Sequence, residues 1–373
     1  MEMKNTFSIM ALLALMMLTA CHNTKDGSNL QTPFCDSICL YRPGDYGSAN
    51  WRIPALLCLD DGTLLAVNDK RKYNEGDLPE DIDIVCRRST DMGRTWSEPQ
   101  TIIEGEGRGR GYGDPALVQC ENGDVLCLFA GHNGYFQSSD ANPICVYMMR
   151  STDRGLTWSD TVNLTAVLWD SASPYRGSFV ASGNGLRLKK GPHAGRILFA
   201  AALVRRSEWV SDNFVIYSDD NGHSWHRSQM AFLAGDEAKM IELNDGRLLL
   251  SVRRSGARGY NISGDGGLNW NREPGLWEEM TTNACNGEML RLDDTTLLHS
   301  IPNSMERRDV SIFFSNDEGV SWHNPKLITA GPSVYSSMTL LPDGTVGLYV
   351  ERNPQGACEL WYYRFNRAWL FDR

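Results

Sequence analysis

The chain lacks any excess of positive charge: against 36 Lys and Arg it carries 46 Asp and Glu, a formal net charge of −10. That balance argues against nucleic acid as a partner, because phosphate binding needs a basic face. It also argues against long-range steering of an anionic substrate, so any anion that binds must be held by a local cluster of arginines. There is no glycine-rich phosphate loop, no dinucleotide fingerprint, no Cys-x-x-Cys pair and no His/Cys cluster, so neither a nucleotide cofactor nor zinc has a signature here. Helical periodicity is almost missing after the first 20 residues, and no linker-like shift in composition follows residue 46. Although 373 residues would ordinarily suggest two domains, all-β folds run long as single domains, and this chain reads as one.

What is present in abundance is a repeat. The pattern S-x-D-x-G-x-x-W occurs five times, at 89–96, 151–158, 218–225, 263–270 and 315–322. In each copy the Ser and Asp can bond their own backbone, the Gly can take positive φ, and the Trp can pack back over the strands. A second repeat alternates with it: Asp61-Gly62, Asn122-Gly123, Asn184-Gly185, Asp245-Gly246 and Asp343-Gly344 mostly separate apolar, β-rich runs, as type I′ hairpin turns do. One hairpin of each kind makes four antiparallel strands. Residues 46–373 then form an all-β, six-bladed β-propeller of four-stranded antiparallel blades, each of about 55 residues, with the aromatic stretch 361–365 as the strand that closes the ring.

The N-terminus reads as a targeting segment. Lys4 precedes an apolar stretch at 7–17 that is too short to span a bilayer, and Leu18-Thr19-Ala20-Cys21 follows. This resembles the bacterial lipobox, in which residues 1–20 are removed and Cys21 is lipidated; an ordinary secretory signal cut near Ala20 is the alternative. Either way the chain is exported, and in the first case it is a membrane-anchored lipoprotein facing the periplasm or the cell surface, with residues 21–45 as lipidated cysteine and polar tether. Nine cysteines remain after Cys21, an odd number that cannot all pair. Cys35 with Cys39, and Cys120 with Cys127 across a turn, are candidate bridges; Cys58, Cys86, Cys145 and Cys285 read as buried apolar residues.

A propeller hosts many functions, so function must come from residues near its axis. Trp51-Arg52-Ile53-Pro54-Ala55-Leu56 matches the Arg-Ile-Pro motif that precedes the first such repeat in sialidases, with Trp51 where that family more often has Phe or Tyr. From about residue 46 to its end the chain resembles bacterial exo-sialidases of the retaining glycoside hydrolase type. The resemblance implies an enzyme that needs no metal or organic cofactor, acts on sialylated glycans of glycoproteins or glycolipids, and is expected to be a monomer.

The chemistry of sialic acid tests that resemblance. Its anomeric carbon carries a carboxylate, which calls for guanidinium donors. The family's three arginines match Arg52, Arg253 and Arg307, although Arg254 and Arg308 are adjacent and strand alternation lets only one of each pair face the pocket. The same carboxylate would repel an anionic nucleophile, and Tyr335 resembles the neutral tyrosine used instead. A phenol needs a base to attack at neutral pH. Glu237 matches that base, with Asp236 as the competing assignment. Asp77 resembles the acid/base on a loop it shares with Glu75, Glu80, Asp81 and Asp83. Arg71 and Asp114 resemble contacts to the 4-hydroxyl and its neighbours, and Glu351 matches a glutamate that orients the first arginine. Three other readings stay open: a non-catalytic lipoprotein that binds sialoglycans through the arginines, a hydrolase for a different nonulosonic acid, and a propeller whose repeats are purely structural.

Overall fold

A computed structural model describes residues 32–353 and 356–372; the expected signal segment and Cys21 lie outside the described residues. Residues 33–373 form one compact unit, and its regular structure is mostly antiparallel strand. Asn50–Cys58, Leu64–Arg71, Ile82–Ser89 and Gln100–Ile103 make the first sheet. Gly111–Gln119, Val125–His132, Ile144–Ser151 and Val162–Asn163 make the second, to which Gly183–Asn184 adds in parallel. Tyr175–Val180, Ile197–Arg205, Ser211–Ser218 and His226–Arg227 make the third, with Leu186–Arg187 alongside. Ala238–Glu242, Leu248–Val252, Ser255–Ser263 and Gly275–Asn283 make the fourth.

The remaining sheet has seven strands because one of them, His323–Leu340, is 18 residues long. Its first half pairs with Arg308–Ser315 and its second half with Val346–Arg352. The outermost strand of this sheet is Cys35–Tyr41, paired with Glu359–Phe365. The tether expected over 21–45 therefore ends earlier than the sequence suggested: residues 35–41 belong to the folded unit, paired with Glu359–Phe365. Packing is cyclic. Each sheet buries apolar side chains against the next, and Leu341, Tyr349, Leu360 and Tyr362 of the last pack with Trp51, Leu56 and Leu64 of the first.

The five repeats form the expected local structures. In the first, the Ser89 hydroxyl donates to Asp91 at 2.8 Å and accepts from Gly93 N at 2.9 Å, while the Asp91 carboxylate accepts from Thr95 N and Thr95 Oγ1. Gly93 has φ 83°, and a Cβ there would lie 2.1 Å from the Tyr362 ring, so two constraints require glycine at once. Trp96 packs edge-on against Tyr362 and bonds Gly93 O.

The second repeat differs from expectation. At Asp61-Gly62, Leu59 N donates to Thr63 O and Gly62 N to Leu59 O, with glycine the left-handed residue. The turns at 122–123, 245–246 and 343–344 repeat this pattern, so they are three-residue loops rather than type I′ turns. Asn184-Gly185 is not a hairpin turn; Gly183 and Asn184 pair in parallel with Ala116 and Leu117, Gly185 N donates to Leu117 O, and the Asn184 side chain turns to the axis. All nine described cysteines are free, including both candidate pairs. Cys35 and Cys39 lie four residues apart along one extended strand, which holds their sulfurs out of bonding range.

Strands from every part of the ring reach the axis, where Leu57, Val118, Asn184, Ile241, Leu290 and Met338 meet around a cavity of about 360 Å³ at one end. At the other end three axial ladders skip a residue, between Arg52 and Ala55, Gly113 and Ala116, and Ser333 and Ser336. Such bulges re-aim side chains. The first two share Pro-Ala-Leu after a left-handed residue, Ile53 at φ 62° and Asp114 at φ 59°. A left-handed β-branched residue costs about 1–3 kcal/mol; the bond from Ile53 N to Glu351 at 2.6 Å holds it in place.

Candidate active site

At the bulged end of the axis, Tyr335 is 7% exposed, and its phenol donates to Glu237 Oε2 at 2.6 Å. Glu237 precedes the strand Ala238–Glu242, so two axial strands from different sheets bring the two residues together. Arg253 NH1 bonds the same Glu237 oxygen and donates to Tyr335 Oη at 2.7 Å. Burial raises the phenol well above its usual pKa; Arg253 opposes that and the Glu237 charge adds to it. The result is a phenol with a carboxylate acceptor and a guanidinium on its oxygen, which is what a neutral hydroxyl needs to become a nucleophile as its proton leaves.

Two further guanidinium groups flank the ring, Arg52 at 5.5 Å and Arg307 at 5.9 Å from its centroid. Arg52 is held by Glu351, Nε at 3.1 Å and NH2 at 3.2 Å, and the same buried carboxylate accepts from Ile53 N and Tyr335 N. Glu351 thus fixes the first arginine and the tyrosine backbone together. Arg307 NH2 bonds Ala284 O. The neighbours of the last two arginines point elsewhere: Arg254 lies over the Phe232 ring, and Arg308 pairs with Asp309 and Glu306 at the surface. A cavity of about 390 Å³ opens between Arg52, Asp77, Arg307, Val334 and Asn353.

Asp77 stands at the cavity mouth, 77% exposed, with Oδ1 2.7 Å from Arg71 NH2. Partial desolvation works against its ionisation, yet Arg71, Arg52 and Arg307 together outweigh this and hold the carboxyl below its usual range. Arg71 is buried and also bonds Asp69 Oδ2 through Nε at 3.3 Å and NH2 at 3.1 Å. Asp69 Oδ1 in turn accepts from Asp114 N at 3.0 Å. Burial pushes Asp69 up to about 7 against the pull of Arg71. Burial and the charges of Asp69, Asp77 and Glu237 push Asp114 well above the carboxylate range. Around one arginine the site therefore holds an ionised carboxyl at the mouth and protonation-prone carboxyls deeper in. Such an arrangement can bond sugar hydroxyls as donor and acceptor.

Sequence reading passed over Asp69, which lies opposite Arg52 in the ladder. Its signal was the Asp69-Lys70-Arg71 alternation, which puts the acid and the arginine on one face. Asp236, the competing base, pairs with Arg253 Nε at 3.3 Å and does not reach the phenol's bond to Glu237. Among the described residues no group of three His, Cys, Asp or Glu side chains is arranged to hold a metal ion.

The chain matches the BNR repeat-like domain family over residues 62–348. It is 33% identical over 351 residues to a sialidase of Micromonospora viridifaciens, covering 88% of this chain and 53% of that protein. It is 29% identical over 343 residues to a sialidase of Bacteroides fragilis, covering 83% and 61%. The chain thus spans a little over half the length of these relatives. Among solved structures, Hadza microbial sialidase Hz136 superposes with a TM-score of 0.79 at 27% identity, over 88% of this chain and 68% of that one. The intramolecular trans-sialidase of Ruminococcus gnavus gives 0.79 at 20% identity over 90% and 98%, a likeness of fold.

Proposed function

Since this chain belongs to the BNR-repeat family of sialidases, we propose that it is an exo-α-sialidase that removes terminal sialic acid from glycoconjugates with retention. The observation that carries the reading is the contact of Tyr335 with Glu237 and Arg253 inside a ring of three guanidinium groups. Arg52, Arg253 and Arg307 clamp the substrate carboxylate. The Tyr335 oxygen attacks the anomeric carbon as its proton passes to Glu237, and the glycosidic C–O bond breaks as Asp77 gives its proton to the leaving oxygen. Water then gives a proton to Asp77 and attacks the same carbon; Tyr335 leaves and recovers its proton from Glu237. Arg71, Asp69 and Asp114 bond ring hydroxyls.

The charge pattern supports Asp77 as the acid. In the free protein the arginines favour its ionised form. A bound carboxylate cancels part of that positive field, so Asp77 takes up the proton it must deliver when substrate is present. The long strand His323–Leu340 serves two four-stranded blades at once, and with the other four sheets the fold reads as a six-bladed propeller. Lipidation of Cys21 anchors the chain to a membrane as an exported monomer; Cys21→Ala leaving the chain in the membrane fraction would count against the anchor.

Proton NMR of the reaction on a sialoside tests the function. Early appearance of free α-sialic acid is expected. A β-anomer as first product contradicts retention, an anhydro sugar identifies intramolecular transfer, and no turnover with sialic acid still bound through Arg52 marks a binding protein.

A further inference from the structure

Directly beneath Glu237 and Tyr335 the axis is closed by a buried ion pair that the proposed chemistry does not use. Lys239 follows Glu237 by two residues and feels its charge, and Ser337 follows Tyr335 by two, just past the bulge between Ser333 and Ser336. Lys239 Nζ lies 3.7 Å from Glu288 Oε2, and the side chains are 1% and 3% exposed. Glu288 Oε2 also accepts from Ser337 Oγ and from Asn184 N, each at 3.2 Å. Ser337 Oγ accepts from Leu56 N at 3.1 Å. Asn184 Nδ2 donates to Leu56 O at 2.9 Å and Met338 O at 3.1 Å, and Lys239 Nζ bonds Ser182 O.

One ion pair thereby joins five chain segments: 56, 182–184, 239, 288 and 337–338. The fit is close. Gly183 has φ 104°, and a Cβ there would stand 2.4 Å from Lys239 Nζ and 2.9 Å from Glu288 Oε2. Desolvation lowers the Lys239 pKa and raises that of Glu288, so the interior disfavours both charges. A buried pair of this kind contributes little net stability compared with an apolar replacement, and its best-attested use is to fix one register. Here the registers it fixes are those of the strands bearing Glu237 and Tyr335.

We infer that Lys239 and Glu288, keyed by Ser337, are positioning residues that set the distance between the Tyr335 phenol and the Glu237 carboxylate. The inference rests on the catalytic reading of those two residues. It separates their geometry from the Arg52 and Arg307 part of the clamp, which Glu351 and Ala284 O hold outside the axial network.

The test uses the full chain in four forms: wild type, Lys239→Met/Glu288→Leu, Ser337→Ala and Tyr335→Phe. The apolar double variant should still fold, at a lower denaturant midpoint than wild type, because Asn184 N, Ser337 Oγ and Ser182 O each lose a buried partner. Its kcat should nevertheless fall about tenfold or more, since small misplacements of reacting groups cost that much, while KM stays within about threefold of wild type. Ser337→Ala, which removes one hydroxyl and threatens no fold, should lower kcat about threefold with KM unchanged. Wild-type kcat in Ser337→Ala together with wild-type kcat in a folded double variant overturns the inference. Loss of kcat and stability in parallel, with Ser337→Ala silent, also overturns it. Full activity in Tyr335→Phe instead overturns the catalytic reading on which it rests.

Discussion

Replacing Glu351 by glutamine changes one oxygen to an NH2 group and little else in shape, so its effect isolates the charge and the acceptor count. The buried carboxylate accepts four bonds, two from Arg52 at 3.1 and 3.2 Å, one from Ile53 N at 2.6 Å and one from Tyr335 N at 3.2 Å. Whichever way the amide is turned, its NH2 faces two of those four donors, and Arg52 loses its counter-charge. Breaking a buried ion pair from one side costs about 3–5 kcal/mol, and either the left-handed Ile53 or the Tyr335 backbone loses the bond that holds it. Urea unfolding followed by tryptophan fluorescence should show a loss of about 3–5 kcal/mol in unfolding free energy. KM should rise more than kcat falls, because Arg52 is freed from its fixed orientation. A loss under about 1 kcal/mol, with KM unchanged, would refute the idea that Glu351 holds Arg52 and the tyrosine backbone together.

Other consequences follow from the same geometry. Arg253→Ala and Arg307→Ala should each lower kcat/KM by about 10- to 100-fold, the worth of a charge-assisted bond, whereas Arg254→Ala and Arg308→Ala should stay within about threefold; steady-state kinetics on one sialoside decides. If Asp77 must carry a proton to act, the alkaline limb should lie at higher pH in kcat than in kcat/KM, because bound substrate offsets the arginines that depress it; coincident limbs contradict this. The repeat aspartates predict acid sensitivity. The Thr157 hydroxyl holds Asp153 at about 2; desolvation is the largest single influence on Asp91, but the bonds from Thr95, Ser89 and Arg94 N together outweigh it and hold Asp91 at about 2. Their stabilisation is present above the ordinary carboxylate range and is lost as pH falls through about 2, so thermal unfolding should weaken from pH 5 to pH 2, and less so in Asp91→Asn.

Local features were legible in the sequence and long-range ones were not. The Ser-x-Asp-x-Gly-x-x-Trp units were readable because donors, acceptors and left-handed glycine all lie within eight residues. Asp-Gly hairpins were readable as turns, but the loop type depends on the φ of one non-glycine residue, which composition does not reveal. Asn184-Gly185 looked like another turn; its role is set by bonds to Leu56 and Met338, far away in sequence. Cys35–Tyr41 looked like tether because it is an edge strand with an exposed face. In the site, alternation told that one of each arginine pair faces inward without telling which. The parity is set by bulges and strand ends, such as the skip between Ser333 and Ser336 beside Tyr335. Asp69 was missed because its partner Arg71 drew attention as a ligand contact, and only the ladder puts Asp69 opposite Arg52.

The most direct test of the account is whether the substrate carbon becomes bonded to Tyr335. The full chain should be treated with a sialoside bearing fluorine at carbon 3 and a fluoride leaving group, which slows release of the covalent intermediate, and then digested and analysed by mass spectrometry. One added sialosyl group is expected on the peptide containing Tyr335, and none in Tyr335→Phe. An adduct on Glu237 or Asp77, or turnover in Tyr335→Phe at the wild-type rate, would contradict it.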